Sequence, residues 1–140
     1  MKKQLFLLSC VAGLMLVPVK AQDEKEHTKL GEQMEAMDDA FKAFRRETDP
    51  VKGATHAREA QDAAAKGLLE IPALIKEMPE GPDKAKALVS YRKLMGKLYV
   101  TLCEVEEAFL NGKIEDVTKI VDSLKEQKKE GHQKFIKEEE

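Results

Sequence analysis

Two side chains near opposite ends of the chain are suited to bind a metal ion together. His132 stands in a Lys- and Glu-rich segment, but the spacing places it beside Phe135 and Leu124 on the apolar side of a predicted helix. Met34 lies on the apolar side of a different predicted helix. A neutral imidazole and a soft thioether are ligands for transition metals rather than for calcium. The helices that carry these two side chains must therefore bring them together.

The first half of the chain predicts two helices. Apolar residues three and four apart place the first from about Glu24 to Glu47, with its apolar seam at Leu30, Met34, Met37, Phe41 and Phe44. Thr48-Asp49-Pro50 should end it, because proline disfavours a helical residue before it and has no N–H to donate. The second helix is predicted from about Gly53 to Met78, and Pro72 is expected to kink it or end it early.

The second half predicts two more helices after the turn Pro79-Glu80-Gly81-Pro82. Asp83 is the predicted N-cap of the third helix, whose seam comprises Leu88, Tyr91, Met95, Leu98, Leu102, Val105 and Phe109. Asn111-Gly112 provides a left-handed stop. The fourth helix carries Ile114, Val117, Val121 and Leu124, but Lys128 and Gly131 occupy its next seam positions before Phe135 resumes the apolar pattern. The hydrophobic repeat is thus interrupted where His132 stands.

Four helices with short connections predict an all-α, antiparallel up-down-up-down four-helix bundle. In that topology the start of the first helix and the end of the last lie at the same end of the bundle. Met34 is ~15 Å from the start of its helix and His132 ~10 Å from the end of its own, at a rise of 1.5 Å per residue. The two side chains should therefore lie at a similar depth, in an apolar pocket that also receives Tyr91, Met95, Leu88, Ile71 and Ile75.

This donor pair suits haem iron better than zinc or calcium, because no carboxylate accompanies it. A flat macrocycle between two helices would have one ligand on each face. Iron with both axial positions filled has no vacant place for a substrate, so the expected role is electron transfer and not enzymatic catalysis. Apolar walls and a thioether ligand would favour the ferrous state.

Two segments resemble a known family. The run Gln33-Met34-Glu35-Ala36-Met37-Asp38-Asp39-Ala40-Phe41-Lys42 is similar to the first helix of the cytochrome b562 family, whose Met is an axial haem ligand. Gly131-His132-Gln133-Lys134-Phe135 is similar to its last-helix motif, whose His is the other ligand. The resemblance implies a soluble, exported electron carrier with one non-covalent b-type haem held by Met34 and His132. Its pocket residues would be Met37, Tyr91, Met95 and Phe135.

Four positions depart from related patterns. The c-type bundle cytochromes carry Cys-x-x-Cys-His, whereas this chain has Lys128 and Gly131 before His132, so the haem should not be covalently attached. The family's aromatic pair near the haem corresponds to Tyr91 and Met95, and a family arginine after the ligand His is Ile136 here. These differences affect the expected affinity and reduction potential rather than the ligand pair.

Each assignment has a structural alternative. Met34 can be an ordinary core residue, and His132 can simply stabilise the negative end of its helix. Met37 and Met95 are fallback ligands if they are not pocket wall. A haem-free exported binding or structural bundle is therefore one competing function, and an enzyme or gas sensor with an open iron site is another.

The remaining candidates have weaker assignments. His27 is expected near the frayed entrance of the bundle and His56 at its opposite end. Cys103 is interpreted as a small buried hydrophobic residue, with an intermolecular disulfide as the alternative. Lys128 and Lys129 could pair with haem propionates, although Lys-rich helix ends are usually solvated.

Residues 1–21 have the features of a signal peptide. Lys2-Lys3 precede an apolar stretch from Leu5 to Pro18, and Val19-Lys20-Ala21 resembles a cleavage site, which would leave residues 22–140 as the periplasmic protein. The apolar stretch is too short for a membrane span. Leu8-Ser9-Cys10 is the less favoured alternative of a lipidation site.

Composition agrees with one soluble helical domain. The 140 residues are 42% hydrophobic and 36% charged, and they include no Trp. Cleavage after Ala21 removes three lysines and no acidic residue, so the net charge falls from −2 to −5. An acidic surface gives no electrostatic reason to bind nucleic acid or anionic lipid. We therefore expect a monomer that meets redox partner proteins, whose identity the sequence does not reveal, with no membrane insertion after cleavage.

Overall fold

The computed structural model describes residues 28–136, which form five α-helices and no strand. They are α1 (Lys29–Phe44), α2 (Pro50–Leu68), the short α3 (Ala73–Lys76), α4 (Pro82–Leu110) and α5 (Ile114–Phe135). The predicted all-α four-helix bundle is confirmed, with α4 and α5 as the predicted third and fourth helices. The predicted signal peptide, His27 and the predicted start of the first helix at Glu24 lie outside the described residues.

The four long helices follow one another around the bundle. Helix α1 packs against α2, α2 against α4, and α4 against α5, while α3 contacts α4 and α5 at one end. Contacts between α2 and α4 run in opposite directions along the two helices: Gly53 meets Phe109, whereas Gly67 meets Met95. The same holds for α5 and α4, where Gln127 bonds Thr101 and Gly131 lies against Leu94. Helices α2 and α4 are therefore antiparallel, as are α4 and α5, and the predicted up-and-down arrangement places α1 and α5 antiparallel as well.

The first two helices begin at side-chain caps. The Thr28 hydroxyl accepts a hydrogen bond from the Gly31 N–H at 3.0 Å. The Asp49 carboxylate accepts from the N–H groups of Val51 and Lys52, both at 2.9 Å. This cap, with Pro50 in the first turn, starts α2 three residues earlier than Gly53. Local capping thus determines where the helix begins.

The predicted end of the second helix at Met78 is wrong, because α2 ends at Leu68. Pro72 ends the helix early, as the alternative expectation held, and does not kink a continuous one. It stands at the N-terminus of α3, where its missing N–H has no consequence. Ile75 on α3 is almost completely buried, so this short helix closes one end of the core.

Asp83 does not cap α4. The cap lies two residues earlier, at Gly81, which has φ +153° and makes no side-chain hydrogen bond, and the helix begins at Pro82. Asp83 lies in the first turn, where its charge favours the positive end of the helix. The predicted stop at Asn111-Gly112 is confirmed, since Asn111 caps α4 and Gly112 has φ +68°.

The core lies along the predicted seams. Its largest fully buried side chains are Phe44, Ile75, Leu102, Val105 and Phe109. Alanines on α2 allow its neighbours to approach closely, and Ala57, Ala60 and Ala64 are completely buried. No helix among residues 28–136 is both long and apolar enough to cross a membrane.

Candidate cofactor site

Three apolar side chains converge on Gly67 of α2. A Cβ atom placed on Gly67 would lie 3.1 Å from the Met95 methyl carbon, 3.5 Å from the Met34 methyl carbon and 3.6 Å from a Leu30 methyl carbon. Two of these residues come from α1 and one from α4. The absence of a side chain at Gly67 therefore lets both methionines reach the interior at this level of the bundle.

Tyr91 fixes the same region from α4. Its ring is buried, and its hydroxyl donates a hydrogen bond to the Gly67 carbonyl oxygen at 2.6 Å. Burial, with a smaller contribution from the charge of Glu70, raises the pKa of Tyr91 to about 12. The phenol thus stays protonated and engaged with the backbone, so it is not available as an anionic iron ligand.

The end of α5 packs closely on α4. The rings of Phe135 and Tyr91 meet edge to face, with centroids 5.4 Å apart and planes at 81°. A Cβ atom on Gly131 would stand 3.3 Å from a Leu94 methyl carbon. Gly131 and Phe135 therefore face α4 and bring the last turns of α5 against the region around Gly67.

An ion pair sets the register between α1 and α5. The Lys128 ammonium donates to an Asp38 carboxylate oxygen at 2.5 Å. In antiparallel helices, moving one turn back from Asp38 and one turn forward from Lys128 reaches Met34 and His132. The two predicted ligands therefore stand at the same level, on the flanks by which α1 and α5 face each other.

His132 itself is exposed in the last turn of α5, rather than enclosed by the apolar pocket. Its backbone carbonyl accepts a hydrogen bond from the Ile136 N–H at 3.1 Å. The seam of α5 turns Gly131 and Gln127 toward α4, which leaves His132 on the side of the helix that carries Lys128. The imidazole thus lies at the α1–α5 edge of the bundle, not behind Phe135.

The residues at this edge fit a haem. In the described region α1 and α5 are not packed closely along their lengths, unlike the sequential pairs of long helices. The donor set consists of a thioether and an imidazole, and no group of three or more His, Cys, Asp or Glu residues among residues 28–136 could hold another kind of metal ion. The Met34 thioether lies among apolar side chains, beside Leu30 and Met95.

The comparison with protein-family models agrees with this geometry. The family described as Cytochrome b562 matches residues 29–136, which is most of the chain. The chain belongs to the cytochrome b562 family. Membership makes it, at that level, a haem-binding electron carrier whose cofactor is a b-type haem. A comparison with curated proteins found no match.

The structure places the other predicted residues in different surroundings. Met37 is buried one turn along α1 from Met34, within the core. Lys128 is engaged with Asp38. Lys129 lines a shallow polar cleft between α4 and α5, with Lys97, Ser123, Glu126, Gln127, Glu130 and Gln133. His56 pairs with Glu59 on its own helix at 2.9 Å, near the opposite end of the bundle.

Cys103 is half-buried, so the interpretation as a small buried residue is only partly correct. Burial is the main cause that raises the pKa of its thiol above the ordinary value, and the charge of Glu106 adds to it. A thiol that stays protonated is a weak nucleophile. Cys103 lies on α4, away from the edge that carries His132.

Sequence reasoning missed two residues of this region. Gly67 continues the seam of Ala57, Ala60 and Ala64 at the expected spacing. Gln127 likewise continues the α5 seam, and it is buried, with its amide nitrogen donating to the Thr101 hydroxyl at 2.9 Å. In both cases the spacing contained the signal, but the residue type was not apolar.

Proposed function

We propose that this cytochrome b562 family member carries single electrons on one non-covalent haem whose axial ligands are Met34 and His132. The observation that carries the proposal is the Asp38–Lys128 ion pair, which sets Met34 and His132 at one level of two antiparallel helices. Haem supplies an iron centre that alternates between the ferric and ferrous states. The chain's own residues supply its binding, its orientation and its isolation from water.

The two ligands have distinct tasks. The Met34 thioether is a soft, uncharged donor that favours the ferrous state and so raises the reduction potential. The His132 imidazole is the more basic ligand. Loss of His132 should therefore weaken haem binding more than loss of Met34. A haem held by both Met34 and His132 would exchange electrons and would have no open place for a substrate. This arrangement supports electron transfer rather than catalysis.

The surrounding side chains keep the site apolar. Met95, Leu30 and Phe135 provide walls that limit access of water, and Tyr91 holds the α2 backbone at Gly67. Met37 supports the same pocket from the core. Since the hydroxyl of Tyr91 is already used, this ring contributes packing and position rather than coordination.

The haem should be extractable. Covalent attachment needs cysteine thiols near the ligand histidine, and the two positions in question are Lys128 and Gly131. Treatment with acid and an organic solvent should remove the haem from the holoprotein, and the intact mass of the chain should contain no haem. A mass that includes haem after denaturation would contradict non-covalent binding.

Export is part of the proposal. We infer cleavage after Ala21 and function in the periplasm, in keeping with the usual location of this family. N-terminal sequencing of the protein recovered from the periplasm should begin at Gln22. The physiological partners would be other redox proteins. If the acidic surface attracts these partners, the rate of electron exchange should fall as ionic strength rises.

The proposal is tested by titrating the purified protein with haem. We expect one haem per chain, a low-spin six-coordinate spectrum in both oxidation states, and reversible one-electron reduction. Failure to bind haem would favour the haem-free structural bundle. A high-spin spectrum with rapid carbon monoxide binding by the unmodified protein would instead favour an open-site enzyme or gas sensor.

A further inference from the structure

The side of α4 that points away from the core exposes several apolar residues. Val89 is 54% exposed, Val100 57%, Leu110 64% and Tyr99 40%. Gly96, between them, has no atom within 4 Å of the place where a Cβ would be. We call this surface the outer α4 face; it comprises Val89, Arg92, Lys93, Gly96, Tyr99, Val100, Cys103, Glu107 and Leu110.

The spacing on this face is that of a helix-packing seam. Residues 89, 93, 96, 100, 103, 107 and 110 alternate intervals of four and three. The same intervals generate the buried seam on the opposite side of α4. A surface helix with one core-facing stripe normally presents charged residues on its other side. Helix α4 therefore has a second stripe suited to pack against another helix.

Charge on the outer α4 face is divided between its two halves. Arg92 and Lys93 lie toward the start of the helix, whereas Glu107 lies toward its end. None of the three forms an ion pair with another residue between positions 28 and 136. If two copies of α4 packed in parallel, the basic half of each helix would lie against the basic half of the other. Two antiparallel copies would place each basic half against the acidic half of the other.

We propose that a second copy of this chain occupies the outer α4 face in an antiparallel, two-fold symmetric pair. The symmetry axis passes between Tyr99 and Val100. Each copy then places Val89 against Leu110, Arg92 against Glu107 and Gly96 against Cys103 of the other copy. Gly96 provides the room that close approach of the two helices requires. This inference replaces the monomer expected from composition alone.

The pair would be reversible. A contact along a single helix lies at the small end of protein interfaces, below about 1,200 Å² of total buried surface, where association is weak. It also leaves the haem edge free, because Met34 and His132 lie on α1 and α5 and the outer α4 face points away from the bundle. The inference therefore does not depend on haem ligation.

A cysteine placed at the proposed meeting point tests the register. Gly96→Cys would bring its thiol next to Cys103 of the second copy, while the two thiols in one chain would be ~10 Å apart along the helix and unable to bond. Mild oxidation of the haem-loaded variant should give a disulfide-linked dimer on a non-reducing gel, at least tenfold faster than Asp62→Cys on the exposed side of α2. Equal rates would overturn the proposal, as would rapid Cys103–Cys103 linkage in the unmodified protein.

Charge exchange tests the same pair without a covalent bond. Sedimentation velocity of the unmodified holoprotein should show dimer that increases with concentration. Arg92→Glu and Glu107→Arg should each lower the dimer fraction several-fold, the double variant should restore it, and Lys119→Glu on α5 should leave it unchanged. A protein that sediments only as monomer at its highest soluble concentration, or a double variant without restoration, would overturn the proposal.

Discussion

The ion pair between Asp38 and Lys128 joins α1 and α5 one helical turn from Met34 and His132. It connects residues that are 90 positions apart in sequence. The pair therefore fixes how two helices without close backbone packing are aligned. Because the family resemblance assigns the haem ligands to these same two helices, the ion pair links the register of the bundle to the geometry of the proposed site.

Acidification should break the Asp38–Lys128 ion pair before it unfolds the bundle. Hydrogen bonding from Lys128, and then from Lys42, holds the pKa of Asp38 below its usual value of 3.8. A lowered carboxyl pKa stabilises the folded state above pH ~4, and the contribution disappears as the pH falls through the folded pKa. Asp38→Asn should cost about 0.5–1 kcal/mol of unfolding free energy at pH 6, because the side chains are partly exposed.

Urea denaturation at pH 6 and pH 3 measures this effect. The difference between Asp38→Asn and the unmodified protein should shrink at the lower pH. Asp122→Asn is the matched control, since among residues 28–136 Asp122 pairs only with Lys125 on its own helix, at 2.9 Å. A difference that is the same at both pH values would mean that the Asp38 charge does not contribute to the stability of the fold.

Two glycines of α2 should respond differently to the same substitution. In Gly53→Ala the new Cβ would collide with the ring of Phe109, which is fully buried. We expect a loss of about 1–3 kcal/mol in unfolding free energy from overpacking. In Gly67→Ala the nearest atom is the flexible methyl end of Met95, at 3.1 Å.

The Gly67→Ala protein should therefore fold with a stability within about 1 kcal/mol of the unmodified protein, since alanine also favours the helix. Its added methyl group displaces the methyl end of Met95 and fills the space beside Met34, so haem affinity or the haem spectrum should change. Thermal denaturation without haem, followed by haem titration, separates the two effects. If Gly67→Ala lost as much stability as Gly53→Ala and bound haem normally, the Gly67 region would be ordinary core.

Tyr91→Phe should remove one buried hydrogen bond and preserve the ring contact with Phe135. The Gly67 carbonyl would lose its donor, at a cost of about 1–2 kcal/mol. The pKa of about 12 is above the ordinary value of 10.0, so the contribution of the neutral phenol is complete below pH 10 and is lost as the pH rises toward 12. Unfolding free energies measured from pH 8 to pH 11 should converge for the two proteins; a constant difference would contradict this account.

The sequence predicted the helices because each seam repeats at helical spacing, and it predicted the stop at Gly112 because the turn needs a left-handed residue. It could not predict that α2 ends at Leu68, since Pro72 could either kink the helix or end it. The burial of Ile75 on a separate short helix decides between these two outcomes. Asp83 has the side chain of a cap, but Pro82 in the first turn places the cap two residues earlier, at Gly81.

The candidate site was predictable to a similar extent. Met34, Tyr91, Met95 and Phe135 gather at one end of the bundle because periodicity sets their faces. The exposure of His132 was not predictable, because its position on the flank of α5 depends on how Gly131 and Gln127 turn toward α4. Contacts between distant residues, such as Asp38 with Lys128, need the assembled bundle.

The proposed ligand pair is tested most directly by the absorbance spectra of the haem-loaded Met34→Ala and His132→Ala proteins. We predict that Met34→Ala binds haem but becomes at least partly high-spin, and that His132→Ala loses most of its affinity. Met37→Ala and Met95→Ala, as controls, should retain the low-spin spectrum. Unchanged low-spin spectra in Met34→Ala or unchanged affinity in His132→Ala would contradict the account.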